Sequence, residues 1–197
     1  MPAHERRVTT ADIVPTPEFS RQRRERRQAL LPMKRLRRIE LGPYCTFYFE
    51  CFDTMLFQIQ EMLLIEKGGA EQLAEEIAAY NPLIPQGSDL VATVMFEIDD
   101  ERRRAAVLGR LGGVEERFFL QIGSDRVYAE REGDVERTRE DGKTSSVHFL
   151  HFRVSDAHKA VFRDPRTTIM VGCDHELYAH LAILSPATRA ELARDFA

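Results

Sequence analysis

Tryptophan is absent from the 197-residue chain, cysteine occurs only three times, and no apolar run approaches the roughly 18 residues of a membrane-spanning helix. Cys45, Cys51 and Cys173 are too few and too scattered for a disulfide framework, and none forms the C-x-x-C pair of a structural zinc or thioredoxin-type site. The Arg-rich N-terminus has no apolar h-region behind it, so no secretory signal is expected; with reduced thiols this points to a cytoplasmic protein. Also missing are a Walker loop, a dinucleotide fingerprint, a G-x-S-x-G elbow and an H-E-x-x-H pair. "LGRLGG" is not preceded by the strand that a phosphate loop requires. These absences argue against the common nucleotide-dependent and hydrolytic enzymes.

What the chain does have is charge, unevenly placed. Residues 21–38 hold Arg21, Arg23, Arg24, Arg26, Arg27, Lys34, Arg35, Arg37 and Arg38 against the single acid Glu25, a local balance of +8 that leaves -12 for the rest of a chain whose net charge is -4. Such an arm can dock on its own acidic body, on a second subunit of a homo-oligomer, or on an external polyanion. Nucleic acid is the weakest of these, because no aromatic residues interleave the arginines and no recognised binding signature follows.

With 43% hydrophobic residues the chain can fill one sizeable core. Residues 1–16 read as a loose lead-in and 17–197 as a single α+β domain, a largely antiparallel sheet packed by helices with a basic helix at its N-terminal end. That helix should run from about Glu18 to Leu31 and be broken or restarted by Pro32. "YCTFYFE" (44–50) has strand period, setting Thr46, Tyr48 and Glu50 opposite Cys45, Phe47 and Phe49. Helices are expected over 53–66, 70–80 and 99–112. Strands are expected over 89–98, 145–154, 167–173 and 177–184, with a hairpin around Gly123. A short helix is expected near Asp156 to Phe162, and a last helix is opened by Ser185-Pro186 as N-cap and N1. Helices and strands do not alternate as a doubly wound sheet requires.

Three stretches could carry chemistry. In "DTMLFQIQEMLLIE" (53–66) apolar residues surround the helix axis, so Gln58, Gln60, Glu61 and Glu66 cannot all reach water. A buried carboxylate must be paired, hydrogen-bonded, metal-bound or protonated. Glu61 is therefore either a ligand or general base sharing a polar pocket with Gln58, or the partner of an arginine in the basic helix. In "SSVHFLHFRV" alternation sends His148 inward and leaves His151 beside Arg153 on the sheet surface. "GCDHELYAH" gathers Cys173, Asp174, His175, Glu176, Tyr178 and His180 at a strand end, where scaffolds present functional groups. Its spacing matches no zinc or iron signature.

Taken in order, "LGPYCTFYFE", "DTMLFQIQEML", "YNPLIPQGSDL", "TSSVHFL" and "DHELYAH" resemble the bacterial domain-of-unknown-function family 3501 across nearly the whole chain. The chain departs from that pattern at Cys51-Phe52, where a polar pair is usual, and at Glu176, where proline usually follows the histidine. The resemblance implies a setting of peroxide defence or redox metabolism, since genes of the family commonly lie beside those for rubrerythrin and an iron-sulfur oxidoreductase. Carried over by position, the motif polar residues are Glu50, Asp53, Gln58, Gln60, Glu61, Asn81, His148, Asp174, His175 and Tyr178.

Two readings follow. In one, Glu61, His148 and His175, with Asp174 nearby, converge on iron or another divalent metal, and Glu61, His148, His175 and Tyr178 form the catalytic group; carboxylate plus imidazole suits iron. This requires His148 and His175 to share a pocket on one sheet. In the other, the protein is a non-catalytic accessory that docks on rubrerythrin or the iron-sulfur oxidoreductase through its basic helix.

Overall fold

A computed structural model describes residues 3–132 and 143–197. The strands form two antiparallel sheets rather than one. The first contains β1 (Arg38–Leu41), β2 (Cys45–Phe49), β3 (Asp89–Phe96), β7 (Val147–Arg153) and β6 (Glu130–Arg131), in the order β1-β2-β3-β7-β6. The second contains β4 (Phe118–Ile122), β5 (Asp125–Tyr128), β8 (Ile169–His175) and β9 (Tyr178–Ile183), in the order β5-β4-β8-β9. Between them lies the main core, where Phe47, Phe49, Phe118 and Phe152 pack with Leu150 and Val171. Each sheet thus presents alternate residues to the other, which is why the alternation of "YCTFYFE" gave the strand correctly.

The opposite face of the first sheet is covered by α2 (Phe52–Glu66) and α3 (Gly69–Tyr80), through Met55, Ile59, Leu83, Ile84 and Val91. Being covered on both faces, β3 is apolar almost throughout and carries no clean alternation. Short helices α4 (Glu101–Leu108), α5 (Asp156–Arg163) and α6 (Pro186–Leu192) complete the chain, and Ser155 and Ser185 cap α5 and α6 with their hydroxyls as their sequence positions indicate.

The basic helix α1 (Thr16–Leu36) is longer than Pro32 suggests, because the proline lies inside a continuous helix. Pro32 and Gln28 are both exposed, so the Gln28 carbonyl left without an amide partner can be hydrated instead. α1 ends at Leu36, and Arg37 and Arg38 belong to the turn and strand that follow. Nor is it held mainly by ion pairs: among the described residues of α1, Arg23 is the one cation in a direct pair, while Phe19 is buried edge-on against Phe57 at 5.7 Å.

Residues 6–14 are tied to the body of the fold by hydrogen bonds and burial. Val8 is fully buried, and the Asn81 carboxamide accepts its N–H at 2.8 Å and donates to its carbonyl at 3.0 Å. Gln86 and Gln60 donate to the carbonyls of Arg6 and Val14. Gln60 and Asn81 therefore serve as backbone clamps. Among the described residues no helix is long and apolar enough to cross a membrane.

Candidate functional site

Glu50 directly follows the last residue of β2 and continues its alternation on the side of Tyr48, turned away from the phenylalanines of the main core. Opposite it, the first two turns of α2 bring Thr54, Met55 and Gln58 over the sheet. Together they enclose a cavity of about 280 Å³, closed by Thr93, Met95, Val147 and Phe149 of the sheet, by Tyr80 and Leu83 after α3, and by Lys34 and Arg37 at the end of α1. Most of this wall is apolar, with a few convergent polar groups, which is the usual composition of a small-molecule site.

Glu50 is half-buried, and its Oε1 accepts from the Thr93 hydroxyl at 2.7 Å. Burial pushes its carboxyl above the ordinary carboxylate range, outweighing hydrogen bonds from Thr54 and Thr93 and the charges of Lys34 and Arg37, which pull the other way. A carboxyl raised in this way takes up and returns a proton closer to neutral pH than an exposed one. The same shift has a stability consequence. The folded chain binds this proton more tightly than the unfolded one, so the carboxyl's contribution is fully present below the unfolded value of 4.5 and is lost as pH rises through the folded value. Glu50→Gln, neutral throughout, should gain stability relative to the parent as pH rises from about 4.5; urea unfolding of both at several pH values checks this, and a pH-independent difference would contradict it.

Arg37 stands behind Glu50. Its Nη1 donates to the Glu50 carbonyl at 3.2 Å and to Asp195 at 2.9 Å, Nη2 to Asp195 at 2.7 Å, and Nε to Glu191 at 3.0 Å. Burial opposes its charge, and Asp195 more than offsets that, holding the guanidinium above its usual range. Burial also lifts the Asp195 carboxyl, against the pull of Arg37. The two-pronged contact of Nη1 and Nη2 with Asp195 at short distances makes this an intact ion pair.

Of the residues singled out from sequence, Glu50 and Gln58 line this cavity, but Glu61, His148, Asp174, His175 and Tyr178 do not. Glu61 takes the ion-pair alternative, accepting from Arg23 Nε at 2.7 Å and Nη2 at 2.6 Å on the surface between α1 and α2. It does not line the cavity that holds Gln58, whose amide lies 3.5 Å from the Tyr80 hydroxyl. The helix is also less covered than its composition suggests, with Ile65 63% exposed. Because Arg23 is largely exposed, Glu61→Gln should shift the melting temperature by no more than about 2 °C, as for other exposed pairs; calorimetry checks this.

His148 does point inward, but into the main core, edge-on to Phe96, with Nε2 2.9 Å from the Ser145 carbonyl oxygen. His175 lies at the β8–β9 turn of the other sheet and accepts from the Leu177 N–H at 3.2 Å. Asp174 accepts from the Tyr128 hydroxyl at 2.6 Å and Arg126 at 3.3 Å. Tyr178 donates to the Leu41 carbonyl at 2.6 Å and accepts from the Cys45 and Tyr44 amides at 2.9 and 3.1 Å; burial pushes its phenol up to about 12. Among the described residues no three His, Cys, Asp or Glu side chains are placed to hold one metal ion. Glu61, His148, His175 and Asp174 therefore do not fit iron as a set. His151 is buried rather than on the sheet surface, because β6 and Glu132 cover it, with Nδ1 3.4 Å from Asp89 and Nε2 2.5 Å from Glu132.

Of the cavity residues, Glu50, Gln58 and Tyr80 lie in the motifs quoted above and Lys34 in the basic segment, while Thr93 carried no sequence signal of its own. The signal for Glu50 was its place in the polar alternation of β2, opposite an apolar helix.

A solved structure described as a novel protein of unknown function from Burkholderia pseudomallei K96243 is 36% identical, with a TM-score of 0.89 over 96% of this chain and 99% of that one. No curated protein matches. Residues 7–196 match the family described as "Protein of unknown function (DUF3501)", and the chain belongs to that family.

Proposed function

We propose that this protein binds a small, largely apolar molecule in the cavity at Glu50 and that Glu50 is the acid–base group of the site. The observation that carries the reading is a single titratable carboxyl, raised by burial, among mostly apolar walls. Glu50 would take up or release a proton as the molecule binds, Gln58 and Tyr80 would orient it, and Met55, Met95 and Phe149 would exclude water. Methyl NMR with a set of small apolar compounds tests this. The Met55 and Met95 methyls should shift on titration, and Val147→Phe, which fills the cavity, should abolish the response. Binding that survives Val147→Phe unchanged would contradict the assignment.

A second reading, an accessory protein that docks on rubrerythrin or an iron-sulfur oxidoreductase, is favoured by α1, whose Arg21, Arg24, Arg27 and Arg35 are exposed and without ion pairs among the described residues. The redox setting is supported by the family resemblance, and a cytoplasmic location by three free, buried thiols. Co-purification of the intact chain with the two redox proteins, lost when these four arginines become glutamine while melting is unchanged, is the expected result of docking.

A further inference from the structure

We propose that the molecule taken by the cavity is a small oxyanion with an apolar body, such as a short-chain or aromatic carboxylate, and that it enters together with a proton bound by Glu50. This rests on the cavity being the ligand site, and it follows from which of its polar groups already have partners. Tyr48 donates to Glu97 and accepts from Arg38. The Thr93 hydroxyl donates to Glu50, and the single hydroxyl hydrogen of Thr54 is shared between Glu50 and the Cys51 carbonyl. Arg37 is occupied by Asp195, Glu191 and the Glu50 carbonyl.

What remains for a ligand is the Lys34 ammonium, which is exposed and lies at the solvent edge, the Tyr80 hydroxyl hydrogen, the Gln58 carboxamide, and the Glu50 carboxyl itself. Lysine and the tyrosine hydroxyl hydrogen are donors, and the amide can turn its NH₂ inward. A molecule that satisfies them presents acceptor oxygens, and a negatively charged one gains most from Lys34. An ionised Glu50 would repel it.

The charged and titratable groups lining the cavity are Lys34 and Arg37 at the end of α1, Tyr48 on β2 and Tyr80 at the end of α3, with Asp195 and Glu191 behind Arg37; α2, β3 and β7 contribute none. Glu50 is the carboxyl that lines the cavity itself, and burial holds it toward its neutral form. Binding then takes one proton from solvent onto a Glu50 oxygen, turning that oxygen from acceptor to donor toward the ligand. Release returns the proton to solvent. No covalent bond in the ligand changes.

Titration calorimetry of the full chain with benzoate and with its neutral isostere benzamide, in buffers of different ionisation enthalpy, tests the proposal. Benzoate should bind about tenfold or more tightly than benzamide at pH 6, weaken as pH rises, and take up nearly one proton per molecule bound at pH 8. Lys34→Met should remove the preference for benzoate. Glu50→Gln should remove the proton uptake and flatten the pH dependence, with circular dichroism melts showing that both variants fold. Benzamide binding as tightly as benzoate, or proton uptake that persists in Glu50→Gln, overturns the oxyanion assignment and leaves the cavity as a ligand site. Failure of both probes, together with silence of the Met55 and Met95 methyls toward all compounds, overturns both.

Discussion

Arg37→Met is expected to destabilise the fold by about 3–5 kcal/mol, the loss typical of removing one member of a buried ion pair. Arg37 is 4% exposed and Asp195 2% exposed, so methionine would leave the Asp195 carboxylate in a dry environment with no cation in contact. Glu191 would lose one partner but keep Arg194 at 3.1 Å. The bridge also ties the end of α1 to the C-terminal segment and to the carbonyl of Glu50. Adding Asp195→Leu should recover much of the loss, because most of it is the charge left behind rather than the net worth of the pair. Urea unfolding of the parent, the single variant and the double variant measures this. A double variant no more stable than Arg37→Met would mean that packing, not charge, is what Arg37 supplies.

Tyr178→Phe is expected to cost about 2–4 kcal/mol, since it strands two amides and a carbonyl at once. The hydroxyl closes the β1–β2 turn by bonding Leu41, Tyr44 and Cys45, which brings the edge of the first sheet to the edge of the second. The turn needs Gly42, at φ 65° and with the His180 ring where a Cβ would lie. A catalytic tyrosine would behave in the opposite way, with its phenylalanine variant folding normally and losing only activity. Guanidinium melts separate the two: an unchanged midpoint would restore Tyr178 as a reactive candidate.

Much of the fold was legible because its strands and caps obey local rules. Phe47 and Phe49 alternate with Tyr48 and Glu50 since one face of β2 meets the second sheet and the other meets the cavity. Ser155 and Ser185 announce their helices by side chains that satisfy free amides. What escaped was the tertiary part. Strand period does not say which strands share a sheet, so His148 and His175 were expected on one sheet although β7 and β8 belong to different ones. Nor does a hydrophobic wheel say which side chains reach past the helix. Glu61 found Arg23 across the α1–α2 seam, and Ile65 stayed in water. Polar residues clustered along the chain, as in "GCDHELYAH", dispersed over the end of β8, the turn after it and the start of β9. Glu50, Gln58, Lys34 and Tyr80 converge from four separate elements, an arrangement that no spacing rule encodes.

The central claim is that this convergence is a binding site. A crystal of the chain soaked with a mixture of small apolar compounds bearing one carboxyl or amide group tests it most directly. The expected result is density for one compound inside the cavity, its polar end within hydrogen-bond distance of Glu50 and Gln58 and its body against Met95 and Phe149. Compounds bound at other surfaces while the cavity holds only water would contradict the account.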